Sequence, residues 1–257
     1  MAVEFSREGG LGYVTLNRPP ANSYDFGFIE ELDRAIQQAE ADPEVRVVVV
    51  RSALERFFSA GADVRAFSEN PPDRNMELVR YAHRVLGRIA QVPKVFIAQI
   101  GGHALGGGLE IALACDLRFG ARGEYRVGLP EVTLGLLPGN GGTQRLPRLV
   151  GWSRALDLMV TGRTLTAEEA HAYGILDRLV PAERLAEETA EYARKLASGP
   201  VRAVGAIKLA VRLGVDRPLE DGLRLERELV DGLFRSEDAQ EGIRAFLEKR
   251  APLFRGL

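Results

Sequence analysis

The residues best suited to chemistry sit in the middle of the chain. Gly106, Gly107 and Gly108 run directly into Leu109 and Glu110, and a second carboxylate, Glu131, follows 21 positions after Glu110 in Leu129-Pro130-Glu131. Three successive glycines leave the backbone bare, so a ligand can reach the peptide N–H groups themselves. Another such cluster, Pro138-Gly139-Asn140-Gly141-Gly142, comes soon after. Bare N–H donors beside two acids suit a reaction that passes through an oxyanion and moves a proton. Each feature also has a plainer reading: glycines close a tight strand-to-helix junction, Glu110 is a helix-start charge, and Glu131 is a loop acid. The company of Glu110 weighs against the plain reading, because Ile111-Ala112-Leu113-Ala114 is apolar and predicts that the carboxylate is not on an open face. A helix that begins at such glycines presents unpaired N–H groups and the positive end of its dipole.

Other chemistries have little support in the sequence. No glycine loop is followed by Gly-Lys-Ser/Thr, the glycines around 106 do not fit Gly-x-Gly-x-x-Gly, and no serine lies in Gly-x-Ser-x-Gly. His83, His103 and His171 are widely separated, and neither they nor Cys115 form a metal-ligand spacing. Cys115 closes the apolar run Ala112-Leu113-Ala114 and reads as a small buried hydrophobe. His103 reads as a satisfied loop histidine, and Asp63, in Ser59-Ala60-Gly61-Ala62-Asp63, as a turn or N-cap residue.

The elements that must position these residues follow from periodicity. Tyr13–Asn17 alternates as a strand and ends at Pro19-Pro20. Residues 25–42 place Phe28, Ile29, Leu32, Ala35, Ile36 and Ala39 at helical spacing behind an Asp25 N-cap. The run from Val45 to Val50 predicts a strand buried on both faces, with a loop over 57–63 at its end. A helix over 75–91, a buried strand over 95–100, a loop over 101–105 and a helix over 108–114 come next. Short strands are expected at 117–119 and 125–127, then helices over 143–150, 153–160 and 166–173. Thr166 and Glu169 form a capping box, and Gly174 ends the last helix. From Pro181 the pattern turns wholly helical, over 182–198, 201–213, 219–235 and 238–249. Residues 1–180 therefore read as a mixed α/β body and 181–257 as a helical region.

The bulk numbers agree. The chain has 257 residues, 46% hydrophobic and 27% charged, as in an ordinary globular protein. A net charge of −2 offers no footprint for nucleic acid, although 30 of the 34 basic residues are arginine. One cysteine excludes an intramolecular disulfide and suits a reducing, cytoplasmic location. The N-terminus shows no signal-peptide pattern, and no apolar run is long enough to span a bilayer.

Ordered along the chain, several segments resemble the enoyl-CoA hydratase/isomerase (crotonase) superfamily. They are Leu16-Asn17-Arg18-Pro19, Phe58-Ser59-Ala60-Gly61-Ala62-Asp63, Ala104 through Glu110 and on to Cys115-Asp116-Leu117, Pro130-Glu131, and Leu137-Pro138-Gly139 through Gly142-Thr143-Gln144-Arg145-Leu146. The resemblance implies an α/β fold, a spiral of ββα units with a C-terminal helical region that drives trimerisation, and trimers that stack into hexamers. It implies an acyl-CoA substrate, no separate cofactor and no metal. By similarity the N–H groups of Ala62 and Gly107 form an oxyanion hole for the thioester carbonyl. Ser59, Ala60, Ala62, Asp63 and Val64 match the stretch that receives the adenine end of CoA, and Phe246 and Lys249 match C-terminal positions that approach CoA or the acyl tail.

The superfamily hosts many reactions on one scaffold, so membership alone does not name one. Its hydratases carry two glutamates, and both positions are Glu here. Glu110 matches the residue that holds and deprotonates water, Glu131 the one that protonates Cα, and Gly139 the residue whose N–H holds the water. The resemblance therefore implies addition of water to a trans-2-enoyl-CoA. The alternatives are a Δ3,Δ2-enoyl-CoA isomerase, which needs one acid, and a non-catalytic RNA-binding relative, which the charge and the intact acid pair disfavour. One departure concerns the segment Asn22-Ser23-Tyr24-Asp25, where relatives commonly have an Asn-Ala-Leu type of sequence; it borders the CoA and acyl region in them.

Overall fold

Strands and helices alternate along the body as the apolar periodicity predicts, and the computed structural model describes all of residues 1–257. The strands are β1 (Val3–Glu8), β2 (Leu11–Leu16), β3 (Val47–Ser52), β4 (Phe57–Ser59), β5 (Val95–Ile100), β6 (His103–Leu105), β7 (Leu117–Ala121), β8 (Val127–Gly128) and β9 (Arg178–Val180). The helices are α1 (Phe26–Ala41), α2 (Val64–Glu69), α3 (Pro72–Gln91), α4 (Gly107–Ala114), α5 (Gly142–Val150), α6 (Trp152–Thr161), α7 (Ala167–Ala172), α8 (Leu185–Ala197), α9 (Val201–Gly214), α10 (Leu219–Phe234) and α11 (Glu237–Leu247). Single 3-10 turns cover Glu131–Leu134 and Ala182–Arg184.

Two sheets organise the body. The larger has the order β1-β2-β3-β5-β7-β9, antiparallel between β1 and β2 and parallel elsewhere. The smaller, β4-β6-β8, is parallel throughout. Each pass of the chain through β3-β4, β5-β6 and β7-β8 adds one strand to each sheet, and the first two passes return through helices. This is the spiral of ββα units. Val47 to Val50 are all buried, as expected of a parallel strand covered on both faces. The apolar face of α1 is buried through Phe28, Ile29, Leu32, Ala35, Ile36 and Ala39, and Asp25 caps it by accepting from the Phe28 N–H at 3.0 Å.

Several expectations were too coarse. The 57–63 and 101–105 loops contain β4 and β6, and β1, β9 and α2 have no counterpart among the expected elements. A three-residue strand is too short for alternation to register; β4 and β6 exist because they pair with each other and with β8. Thr166 and Glu169 do form the capping box.

The C-terminal helices divide by packing. α8 lies on the larger sheet, with Leu185, Thr189, Ala193 and Ala197 buried. α9 is pinned by Lys208, whose buried Nζ reaches Ile89 O at 2.6 Å, Lys94 O at 2.7 Å and Asp116 Oδ2 at 2.8 Å. α10 buries no residue within the chain. No helix is long and apolar enough to cross a membrane.

Candidate active site

The small sheet explains how distant segments meet. Its three parallel strands end side by side, and each feeds one site segment. β4 leads into Ala60-Gly61-Ala62, β6 into Gly106-Gly107, and β8 into Leu129-Pro130-Glu131. Carboxyl ends of parallel strands are where such sheets place ligands, because the chain must turn there and expose backbone.

The glycines are required by close approach. Gly106 has φ +53° and ψ −130°, a conformation that L side chains rarely adopt. A methyl group there would also lie 3.1 Å from Glu131 Oε1, so the second acid rests against the first glycine. A side chain at Gly107 would overlap the hydroxyl of Tyr24, and one at Gly108 would overlap the carbonyl of Ser59. A side chain at Gly61 would fall 2.9 Å from Gly107 N, which places the 60–62 loop against the start of α4. The hydrogen-bond ladder of α4 begins with Glu110 N–H to Gly106 O at 3.1 Å, so Gly107 N–H precedes it. The Ala62 N–H donates to no other group of the chain. Two bare N–H groups therefore sit next to each other at a helix N-terminus.

The two carboxyl groups differ. Glu110 is 1% exposed, inside α4 where every residue is buried. Its Oε1 accepts the N–H groups of Asn140 and Gly142, each at 2.7 Å. Burial raises its pKa, and the two N–H bonds, Arg145 and His83 oppose that rise. Glu131 opens a 3-10 turn that ends at Gly135 in the left-handed region. Its Oε2 is buried without a partner. Burial first, and the nearby charge of Glu110 to a smaller extent, push its pKa up to about 7, against a small lowering by its own backbone. Two acids with separated protonation behaviour make a donor and acceptor pair.

The remaining expected residues are placed as follows. Gly139 is half-buried, its N–H donates to no group of the chain, and its carbonyl accepts from His83 Nε2 at 2.5 Å. Ser59 is buried; its hydroxyl donates to Asn22 O at 2.8 Å and accepts from Gly61 N at 3.1 Å, which fixes the loop. Ala60 is half-buried in that loop. Asp63 caps α2 by accepting from Arg65 N and Ala66 N, and Val64 is the exposed first residue of that helix. Phe246 lies near the end of α11, 83% exposed, and Lys249 follows it with φ +54°. Because α11 packs chiefly on α10, these two residues are not assembled with Glu110 and Glu131 within one chain.

Four contributors escape sequence reasoning. Asn140 and Gly142 hold the Glu110 carboxylate through backbone N–H groups, which no side-chain pattern announces. Tyr24 is 3% exposed and close enough to both acids to feel the charge of each. His83, alone on α3, reaches the site only through a carbonyl. By contrast His103 is satisfied, its Nδ1 accepting from Arg126 N at 3.0 Å. Burial raises the Cys115 thiol to about 12 and so keeps it protonated and inert. No group of three or more His, Cys, Asp or Glu is arranged to hold a metal ion.

A spiral of ββα units with bare N–H donors at a helix N-terminus, one buried acid and one half-buried acid is the arrangement that the resemblance to the crotonase superfamily implies. The enoyl-CoA hydratase/isomerase family profile matches residues 6–256, and the chain belongs to that family. A crystal structure of an enoyl-CoA hydratase from Geobacillus kaustophilus HTA426 superimposes with a TM-score of 0.98 at 46% identity, covering 100% of this chain and 97% of that one. A probable enoyl-CoA hydratase of Rhizobium meliloti is 39% identical over 96% of this chain and 95% of its own length. The (E)-benzylidenesuccinyl-CoA hydratase of Thauera aromatica is 40% identical over the full length of both.

Proposed function

We propose that the protein is an enoyl-CoA hydratase that adds water across the 2,3-double bond of a trans-2-enoyl-CoA to give the 3-hydroxyacyl-CoA, in fatty-acid or related acyl-CoA degradation. The observation that carries this reading is the unequal acid pair beside the bare N–H groups of Ala62 and Gly107. Those N–H groups receive the thioester oxygen, whose charge grows as the enolate forms; comparable donors are worth about 3 kcal/mol each in other oxyanion holes. Water held by Glu110 and the Gly139 N–H attacks Cβ and gives a proton to Glu110. Electrons move onto the thioester oxygen, then return as Cα takes the proton carried by Glu131. Its raised pKa keeps that proton in place up to about pH 7.

A Δ3,Δ2-isomerase would use one acid and leave the second without work. Here both acids flank the same glycine run, and a free N–H at Gly139 stands beside the Glu110 anchor, which favours water addition. Ser59 to Val64 receive the adenine end of CoA in this reading, and Phe246 and Lys249 complete that surface. No separate cofactor, nucleic acid or membrane takes part, and the location is cytoplasmic. Residues 1–180 form the catalytic body and 181–257 the oligomerisation region of a homotrimer or homohexamer. Support for the latter comes from large exposed apolar residues, among them Trp152 at 73%, Phe234 at 62% and Leu247 at 74%.

The test is direct. Purified protein is mixed with trans-2-enoyl-CoA esters of increasing chain length, and loss of the conjugated enoyl-thioester absorbance is followed. Saturable hydration of at least one ester is expected. Conversion of 3-enoyl to 2-enoyl esters with no water addition would replace this reading with the isomerase.

A further inference from the structure

We propose that Tyr24 is a positioning residue that ties the oxyanion loop to the loop holding Glu110. The proposal rests on the reading of those loops given above. Tyr24 is fully enclosed, at 3% exposure. Its backbone lies in a parallel bridge with Ala62. Tyr24 N–H donates to Gly61 O at 2.9 Å, and Asp63 N–H donates to Tyr24 O at 2.9 Å. These two bonds straddle Ala62 and set the plane of the Gly61–Ala62 peptide, whose N–H is free.

The side chain makes the other half of the link. The ring lies on Gly107 so closely that only glycine fits beneath it. The phenolic oxygen accepts a hydrogen bond from Asn140 Nδ2. The N–H of that same Asn140 donates to Glu110 Oε1 at 2.7 Å, and Gly142 N–H adds a second bond at 2.7 Å. One residue thus braces the loop of one oxyanion donor through its backbone, while its side chain touches the helix start and anchors the residue that holds the water-binding acid. Burial, and then the charges of Glu110 and Glu131, keep the phenol protonated at any ordinary pH. It therefore acts as a neutral strut and not as an acid or base.

The consequence for Glu110 has a definite sign. The groups facing its carboxyl are the Asn140 and Gly142 N–H groups, Arg145 and His83, which favour its charge, together with the neutral Tyr24 phenol and Glu131, which opposes that charge only when ionised. Removing the phenol leaves buried Asn140 Nδ2 without an acceptor, which loosens the 138–142 loop. Weaker N–H bonds to the carboxylate let burial dominate, and the Glu110 pKa rises.

The experiment compares wild type with Tyr24→Phe, which keeps the ring on Gly107 and deletes only the oxygen. Two readouts are taken: steady-state hydration of crotonyl-CoA, and titration of the Glu110 carboxyl by carbon-13 NMR. Expected are a fall in kcat of about tenfold with KM within about twofold, and a Glu110 titration displaced to higher pH. Asn140→Ala, which retains the backbone N–H, should reproduce both changes. The double variant should be no worse than either single one, because both remove the same bond. An unmoved Glu110 titration, an effect on KM alone, or additive losses in the double variant would overturn the proposal. The NMR readout needs no turnover. Wild type that hydrates no enoyl-CoA, together with a displaced Glu110 titration in Tyr24→Phe, would sink the hydratase reading and leave this one standing.

Discussion

The two halves of the site are built on opposite principles. Glu110 stands inside a helix with every residue buried and has both neighbours of the 138–142 loop donating to one of its oxygens. Glu131 stands on a four-residue 3-10 turn with no buried residue, and its buried Oε2 has no partner. The first half is overdetermined by hydrogen bonds and the second by sterics, since Glu131 rests on the bare face of Gly106. The difference shows how like side chains acquire unlike roles. Burial raises the pKa of both carboxyls, but two donated N–H groups from the 138–142 loop hold the first back, whereas the second is restrained only by its own backbone and raised further by its acid neighbour.

The comparison is broken most severely by removing either acid. Glu110→Gln and Glu131→Gln are each expected to lower kcat for hydration by about 10²- to 10⁴-fold, with binding of the CoA ester retained, as measured by calorimetry. Turnover of either variant within tenfold of wild type would show that the acids do not carry the reaction.

The steric half can be attacked at its base. Gly107→Ala places a methyl group on the Tyr24 hydroxyl and should cost about 1–3 kcal/mol of stability, read as a lower urea midpoint at unchanged slope. An unchanged midpoint would mean that the ring moves freely and that the glycine is not required for packing.

Stability against pH distinguishes the two acids without any substrate. The folded-state pKa of Glu131 is up to about 7 from an ordinary 4.5. The unfolded chain therefore releases this proton first, and the group's contribution to stability is lost as pH rises through that interval. Glu131→Gln removes the penalty, so the variant should exceed wild type in stability at pH 8, by about 1–2 kcal/mol once solvent screening of this half-buried group is allowed for, and lose that advantage below pH 4.5. Equal stability of the two proteins at pH 8 would show that Glu131 ionises without cost.

The smallest effect is expected at the edge of the hydrogen-bonded half. His83 Nε2 donates to Gly139 O at 2.5 Å, and the amide N–H on the other end of that peptide is the one that grips Glu110. His83→Ala should lower kcat by about twofold to fivefold, and His83→Gln, which can still donate, should restore part of the loss. No change in either variant would mean that the loop holds its peptide unaided.

Much of this architecture was readable from residue order, and the omissions have physical causes. The amphipathic period of α1, the buried valines of β3 and the Thr166 capping box are local patterns, and they appear in the structure nearly as expected. β4 and β6 carry no period in three residues each; their strand character comes from pairing with each other, some 45 residues apart, and of β6 with β8. Asp63 was expected as a cap and is one. The roles of Asn140, Gly142 and Tyr24 are not legible in the sequence for a different reason. Two of them act through backbone N–H groups, and the third acts through a contact across 116 residues of sequence.

The sequence alone determined which residue types are available: bare glycines where N–H groups must be reached, two carboxyls, an apolar helix to bury one of them, and a chain without nucleophile or metal-ligand spacing. Those are properties of side-chain chemistry and local backbone freedom, so order along the chain suffices to state them. Only the tertiary structure decided that β4, β6 and β8 end together, that the 60–62 loop lies against Gly107, and that one acid receives N–H bonds from a distant loop while the other does not. Proximity, dielectric surroundings and hydrogen-bond partners arise between segments, and they divide two glutamates into an acceptor and a donor.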